Sequence, residues 1–169
     1  MFILTGISFS SKSCLARAIS KTLGIPIIDP DGIAHESGSG LSGGFLSDAH
    51  WAVFHGEAEE RVARLLEAGR SLVYDTTAFN QQQRQRLKDL AGRYNAAQVL
   101  IWVSTSREEA RRRWERNNET RERFAVHVED FDMVANHFEP PGDGEPHLEY
   151  DGTQDLAHWT LQFVVRSLA

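Results

Sequence analysis

The sequence has little of what marks secreted, membrane or broadly nucleic-acid-binding proteins. Cys14 is its single cysteine among 169 residues, so no internal disulfide can form. It has no apolar run of the roughly 18 residues that indicate a membrane helix. The N-terminus also lacks the charged and apolar regions of a secretory signal. We therefore expect a cytoplasmic protein without a membrane partner.

Basic charge is also scarce, and it is outnumbered by acidic charge. With 18 lysines and arginines against 24 acidic residues, the net charge is −6. This balance argues against broad, charge-driven binding of nucleic acid, although a local basic groove is compatible with it. The 7 histidines show no zinc-ligand spacing. No repeat or linker divides the chain, and we expect one domain over residues 1–169.

Residues 6–13, Gly-Ile-Ser-Phe-Ser-Ser-Lys-Ser, differ at one position from the phosphate-binding pattern G-x-x-x-x-G-K-[ST]. Ser11 stands where the pattern has its second glycine, and its Cβ resists the positive φ that glycine allows. An apolar run at 2–5 precedes the motif, and a helical stripe ending at Gly24 follows it. The alternative is a Ser/Gly-rich turn that happens to hold a lysine.

A phosphate-binding loop of this kind would hold ATP with Mg²⁺. Backbone N–H groups surround the phosphates, the lysine reaches the terminal phosphates, and the hydroxyl of Ser13 binds the metal. The predicted nucleotide-binding residues are Gly6, Ser8, Ser10, Ser11, Lys12, Ser13 and Cys14. For Cys14 in particular, a small packing residue is the simpler interpretation.

Strand-like and helix-like segments alternate along the rest of the chain. Further strands are predicted at 25–28, 71–74, 99–103 and 147–150, and helices at 48–68, near 87–94, from 107 to 116, at 128–138 and at 154–168. Residues 30–47 show no clear element, and residues 117–126 look like a loop. This order predicts an α/β protein with a parallel sheet of about five strands covered by helices on both faces.

Three aspartates follow predicted strands, where ligands of parallel sheets bind. Asp29 and Asp31 come after the second strand and would face a substrate, with Asp31 accepting a proton from its hydroxyl. Asp75 ends the third strand, where an acid would orient Mg²⁺ directly or through water, beside the substrate. Turn formation around Pro30 and capping of the next turn are the structural alternatives.

Arginines concentrate between Arg107 and Arg123. They could close over a triphosphate and neutralise the charge that develops during transfer. The alternative is a solvated helix face paired with neighbouring glutamates. Trp51 and Phe54 are weaker candidates for substrate contact, since such residues more often belong to a core.

Together these segments resemble the P-loop kinases known as AAA-domain ATP-binding proteins, a group similar to zeta-toxin, chloramphenicol phosphotransferase and polynucleotide 5′-kinase. The resemblance covers nearly the whole chain. It is carried by residues 6–13, by Ile-Ile-Asp-Pro-Asp at 27–31, by Val-Tyr-Asp-Thr-Thr-Ala-Phe-Asn at 73–80 with Arg84, and by Phe-Glu-Pro-Pro at 138–141.

The resemblance implies a P-loop NTPase fold and an ATP:hydroxyl phosphotransferase with a helical lid over about 107–127. It implies ATP and Mg²⁺ roles for Lys12 and Ser13, and a general base at Asp31. Paired lid arginines fall on Arg112 and Arg116, and a phosphate or substrate contact falls on Arg84. Ala34 stands where many members place a substrate-binding arginine, which disfavours a phosphate-bearing acceptor.

We therefore predict a kinase that phosphorylates a hydroxyl of a small molecule. One alternative is a polynucleotide 5′-hydroxyl kinase, whose partner would be a nucleic-acid end. Another is a non-catalytic nucleotide-binding module with a degraded loop. An ATPase or GTPase switch ranks lower, because no glutamine or glutamate is evidently poised for water. The sequence does not indicate an oligomeric state.

Overall fold

The computed structural model describes residues 1–38, 47–122, 125–164 and 166, with the Asp48 side chain left out. The strands of this part are β1 (Phe2–Thr5), β2 (Ile27–Ile28), β3 (Val73–Tyr74), β4 (Val99–Val103) and β5 (Leu148–Tyr150). The helices are α1 (Lys12–Leu23), α2 (Pro30–Glu36), α3 (Asp48–Glu67), α4 (Gln81–Arg93), α5 (Arg107–Thr120), α6 (Val128–His137) and α7 (Leu156–Trp159), which continues as a π-helical segment over Thr160–Val164.

All strand pairs are parallel, in the order β2-β3-β1-β4-β5. The central strand β1 is apolar without alternation because both of its faces are buried. Ile3 joins a core with residues of α2, α3 and α4, whereas Phe2 and Leu4 join one with α1, Tyr150 and Trp159. The predicted α/β fold with helices on both faces is therefore confirmed.

Side-chain caps explain where several helices begin. The side chains of Ser47, Asn80, Ser106 and Asp155 each accept a hydrogen bond from a backbone N–H in the first turn of α3, α4, α5 and α7. At the other end of α1, Gly24 adopts φ 65°, a left-handed conformation that glycine tolerates. These local signals set the helix boundaries that the sequence already indicates.

Three segments differ from the sequence-based expectation. Residues 30–36 form α2, because Asp29 caps its first turn and Pro30 fits its first position. Helix α5 extends through Thr120 into the predicted loop, and α6 ends at His137, before the prolines. The rest of the expected irregular segment, residues 39–46, lies outside the described residues, as do 123–124, 165 and 167–169.

Within the described ranges, no helix combines the length and the apolar character that a membrane span requires.

Candidate active site

The loop between β1 and α1 is built around unusual backbone angles. Gly6 has φ 146°, and a Cβ there would lie 2.7 Å from the Val103 carbonyl oxygen. Phe9 and Ser11 have φ of 61° and 80°. Alternation of left-handed and ordinary residues turns successive N–H groups toward one side and forms an anion-binding concavity. The loop therefore has the shape of a phosphate cradle even though Ser11 replaces glycine.

Lys12 begins α1 and folds back over this loop. Its ammonium group donates hydrogen bonds to the carbonyl oxygens of Gly6 (2.9 Å) and Ile7 (2.8 Å). A positive charge at the N-terminus of a helix adds to the favourable field of the helix dipole for an anion. The predicted lysine and the cradle are thus brought together.

Ser10 differs from the other predicted loop residues because it is fully buried. Its carbonyl accepts a hydrogen bond from Thr105 Oγ1 (2.8 Å), which ties the loop to the end of β4. Its hydroxyl has no hydrogen-bond partner among the described residues. Ser8, Ser13 and Cys14 are half-buried. Ser10 therefore supports the loop from below, and the other residues border its accessible side.

Arg113 of α5 reaches the same loop. Its guanidinium donates to Ser11 Oγ (2.6 Å) and to the Phe9 carbonyl (3.5 Å), while Glu109 accepts from its Nε (2.9 Å). The resemblance points to Arg112 instead. A signal for Arg113 does exist in the sequence, since it lies three residues after Ala110 and so shares the inward face of the helix.

Arg112 does not take the predicted position over the loop. Its side chain is 72% exposed and pairs with Glu109 at 2.6 Å, because one residue along a helix turns a side chain by about 100°. Arg116, the other predicted lid arginine, does face the loop. It lines a groove of about 270 Å³ together with Phe9, Ser11, Arg113, Asn117, Thr120 and Glu122.

An aromatic cluster packs α5 and α6 against the loop. Phe131 is fully buried, with its ring 6.4 Å from that of Phe9 and stacked 5.7 Å from that of Trp114. The Arg111 guanidinium lies over the Trp114 ring at 5.1 Å. Trp114 Nε1 also donates to the Val126 carbonyl (2.8 Å). The predicted lid segment is thus part of a small core that includes the loop.

The three predicted aspartates lie at the ends of β2 and β3, and β3 separates β2 from β1. Asp75 is buried, and its N–H donates to the Ile28 carbonyl (2.9 Å). Asp29 caps α2 by accepting from the Asp31 N–H (3.0 Å). Burial, and then the charges of Asp31 and Asp75, raise the pKa of Asp29 to about 7, although the N–H groups of Asp31 and Gly32 oppose this. Asp31 itself is exposed.

The loop after β3 is joined to the loop after β1. Thr5 is fully buried, and its hydroxyl lies 3.0 Å from the carbonyl oxygens of Thr77 and Ala78. The Gly6 N–H donates to the Thr77 carbonyl (3.2 Å). Asp75 and the phosphate cradle are therefore held in one hydrogen-bonded unit.

Arg84, the predicted contact for phosphate or substrate, lies buried among polar groups of the protein. It is 1% exposed, and its Nε and Nη2 donate to the Glu145 carboxylate at 2.8–3.1 Å. Its Nη1 donates to the carbonyls of Ala78 and Glu139. Arg84 thereby links the loop after β3 to the segment after α6. The sequence could not show this, because Glu145 is far along the chain.

Helix α3 packs against α2 and β2. Burial lowers the pKa of His55, and the charges of Asp31 and Glu59 do not outweigh that effect. The Trp51 ring contacts the rings of Phe54 and His55 at 6.2 and 6.1 Å. Phe54 is buried in the core, so of the two predicted aromatic candidates only the half-buried Trp51 retains a surface.

In the part of the chain that the structure describes, no group of three or more His, Cys, Asp or Glu side chains is placed to hold a metal ion. A divalent cation would therefore need further oxygen ligands, such as phosphate oxygens, beside Ser13 and Asp75.

The phosphate cradle at the end of the central strand, its lysine and the five-stranded parallel sheet define a P-loop NTPase α/β fold. Comparison with known families gives the same result. The chain belongs to the AAA domain family, whose model matches residues 1–141. None of the curated protein sequences matches the chain.

Solved structures share this fold over nearly the whole chain. The Mycobacterium tuberculosis APS kinase CysC, in complex with AMPPNP and APS, has a TM-score of 0.72 at 15% identity, covering 99% of this chain and 97% of that one. A gluconokinase from Sinorhizobium meliloti 1021 has a TM-score of 0.70 at 19% identity, with coverages of 99% and 94%. Chaetomium thermophilum Kti12, with ADP-AlF3, has a TM-score of 0.79 at 17% identity, with coverages of 99% and 98%.

Proposed function

We propose that this protein is an ATP-dependent kinase that transfers the γ-phosphoryl group of ATP to a hydroxyl group of a small molecule. The carrying observation is that Lys12 and its phosphate cradle lie beside Asp75 and Asp29, which end the next two strands of the sheet. Since neighbouring strands are about 4.8 Å apart, the cradle and Asp29 are separated by about 10 Å. That spacing accommodates a terminal phosphoryl group and an acceptor hydroxyl between them.

Similar structures support the nucleotide part of the proposal. APS kinase was solved with AMPPNP and Kti12 with ADP-AlF3, and both share the fold of this chain. The kinase part is supported by the names APS kinase and gluconokinase. Both names describe enzymes that act on small molecules.

Lys12 and the N–H groups of the loop would hold the phosphates, and Arg113 and Arg116 would neutralise charge from the lid side. The residues present fit this role because the left-handed loop is already formed and two cations already border it. Mg²⁺ would be held by Ser13 and Asp75, directly or through water, and would supply further neutralisation of phosphate charge.

Asp31 is the carboxylate placed to meet an acceptor, because it is exposed whereas Asp29 is engaged in capping α2. In the transfer, a bond forms between the acceptor oxygen and the γ-phosphorus. The bond from that phosphorus to the bridging oxygen breaks and ADP leaves, and the hydroxyl proton passes to the Asp31 carboxylate. Asp29 maintains the position of Asp31 through the hydrogen bond between them.

Two variants separate nucleotide binding from transfer. We expect Lys12→Ala to lose most ATP affinity in calorimetry, because its ammonium charge is removed from the cradle. Asp31→Asn should bind ATP like the wild type but transfer phosphate at least about 100-fold more slowly, the size of a general-base contribution. Lys21→Ala, at the exposed end of α1, and Asp151→Asn are matched controls that should change neither quantity.

Transfer would be measured as ADP formation with panels of sugars, nucleosides and oligonucleotides that carry a 5′-hydroxyl. Preferential phosphorylation of the oligonucleotides would support the polynucleotide kinase instead. ATP binding without transfer to any acceptor would support the non-catalytic module. Full transfer by both the Lys12→Ala and Asp31→Asn proteins would show that the assigned roles are wrong.

A further inference from the structure

The acceptor side of the site is unusually poor in positive charge. Between Lys21 and Arg61 the sequence contains neither lysine nor arginine. This stretch includes β2, α2 and the first part of α3, and its segment 39–46 consists of Ser, Gly, Leu and Phe residues. We use the term acceptor face for Asp29, Asp31, Asp75 and His55, the side chains at the ends of β2 and β3 and opposite them on α3. No permanent cation reaches this face from residues 22–60.

Three arginines on helices α3 and α4 are engaged with carboxylates. Arg61 pairs with Glu57 at 2.7 Å and with Glu36 at 3.3 Å. Arg86 of α4 pairs with Glu59 at 2.9 Å. The buried Arg84 is bound to Glu145, as described above. Each of these cations therefore has an anionic partner, which reduces its field at the acceptor face. Arg86 still acts on the pKa of His55, but less strongly than burial and the opposing charges of Asp31 and Glu59.

Position 34 on α2 also offers no place for a cation. Ala34 is 2% exposed and lies in the core with Ile33, Phe54 and Ala58. Its side chain points into apolar surroundings, where an unpaired guanidinium would be strongly disfavoured. The opposite side chain, His55, is neutral at neutral pH because burial lowers its pKa.

Carboxylates, in contrast, are concentrated at this face. Asp29 and Asp31 follow β2 and Asp75 follows the neighbouring strand β3, so the three carboxylates lie at one edge of the sheet. A further negative charge brought into the same place would be repelled.

From this distribution we propose that the acceptor is a hydroxyl compound that is neutral or positively charged, and that anionic acceptors are rejected. This rests on the proposed kinase function and adds its substrate class. Sugars, amino sugars, amino alcohols and nucleosides satisfy the requirement. Sugar acids and hydroxyl compounds that carry phosphate do not, because no described side chain of the acceptor face is a cation at neutral pH, and Lys12 beside Asp75 is assigned to the ATP phosphates.

The charge preference is measured first without ATP and without turnover. Two nitroxides of similar size, one cationic and one anionic, are added to the ¹⁵N-labelled protein, and amide proton relaxation is recorded. At the amides of Gly32, Ile33 and His55 we expect the cationic probe to increase the proton relaxation rate at least about fivefold more than the anionic probe does. The reason is that clefts lined by charge of one sign carry potentials of a kT or more. Equal effects of the two probes, or a stronger effect of the anionic one, would overturn the proposal.

Two variants of α3 test the origin of that field. Glu59→Gln removes a carboxylate beside the acceptor face and leaves Arg86 without its partner. The ratio of the relaxation enhancement by the cationic probe to that by the anionic probe should therefore fall at least about twofold. Glu60→Gln is the matched control, because Glu60 is 75% exposed and pairs with Arg64 on the outer side of α3. The control should leave the ratio at the acceptor face unchanged. If both variants lower the ratio equally, net charge and not the acceptor face is responsible.

Phosphotransfer with matched probes then tests the substrate class. Glucosamine, glucose and gluconate present similar hydroxyl groups with positive, neutral and negative charge. We expect any transfer to favour the first two over gluconate by at least about tenfold in kcat/KM, and Glu59→Gln to narrow that gap. Gluconate phosphorylated as well as glucose would overturn the charge proposal while confirming a kinase. Transfer to none of the three would count against the proposed function, and the relaxation ratio would then decide the charge preference alone.

Discussion

Asp29 gives the structure a pH-dependent stability that can be measured without knowing the substrate. The pKa of its carboxyl is raised from 3.8 to about 7 by burial and by the charges of Asp31 and Asp75. The folded protein therefore binds this proton more tightly than the unfolded chain does. The resulting stability is fully present below about pH 4 and is lost as the pH rises through 7.

The magnitude follows from the shift. One pKa unit corresponds to about 1.4 kcal/mol, so a shift of about three units has a ceiling near 4 kcal/mol. Partial solvent access and coupling to Asp31 reduce this, and we expect about 1–2 kcal/mol between pH 5 and pH 8. Replacement Asp29→Asn removes the charge but keeps an oxygen that can accept the hydrogen bond from the Asp31 N–H and cap α2.

The assay is urea unfolding of the wild type and Asp29→Asn at pH 5 and pH 8. The free energy of unfolding of Asp29→Asn minus that of the wild type should be about 1–2 kcal/mol larger at pH 8 than at pH 5. The reason is that the Asp29 carboxyl of the folded wild type ionises over this range, whereas the amide of the variant does not. Asp151→Asn is the matched control. The hydrogen bonds from Thr153 lower the pKa of Asp151, so it is ionised at both pH values and its effect should not change. A gain for Asp29→Asn that is the same at both pH values would refute the reasoning.

Three further predictions concern the loop, the ion pair and the lid. Ser11→Ala and Ser11→Gly both lose the bond from Arg113, and only alanine keeps a Cβ at φ 80°. The free energy of unfolding of Ser11→Ala should therefore lie about 1 kcal/mol below that of Ser11→Gly in urea titrations, and equal values would contradict the assigned strain. Arg84→Met should lower the free energy of unfolding by about 3–5 kcal/mol in the same titrations, because Glu145 then stays buried with Lys88 as its remaining ion-pair partner. A decrease below about 1 kcal/mol would contradict the importance of this ion pair. Phe131→Ala should lower the free energy of unfolding by about 3–5 kcal/mol and weaken ATP binding in calorimetry. Unchanged ATP affinity would show that the aromatic cluster of α5 and α6 does not support the loop.

Much of the fold follows from local sequence signals. The apolar runs of β1 and β4, the caps at Ser47 and Ser106, and the glycine after α1 all lie where the sequence predicts them. The irregular appearance of 30–36 was misleading, because the Gly/Ser content that follows obscures a short helix. Its signal is the Asp29 cap followed by Pro30, a pattern equally typical of a turn.

The candidate site was predictable only as far as position along the chain determines it. Residues after parallel strands lie at one edge of the sheet, which is why the loop with Lys12 and the acids Asp29 and Asp75 share that edge. The choice among adjacent arginines was not predictable. Arg112 and Arg113 have the same chemistry, and only the packing of α5 against the loop turns Arg113 toward Ser11 and Arg112 toward solvent.

The sequence by itself therefore determined the order of the strands and of all helices except α2, the phosphate-binding loop and the acids at the strand ends, because these depend on neighbours in the chain. The tertiary structure decided that Ser11 adopts a left-handed conformation and accepts a bond from Arg113, that Arg84 is buried against Glu145, and that Asp29 holds its proton near neutral pH. Each of these depends on burial and on charges brought together from distant segments, and neither quantity is present in a linear pattern.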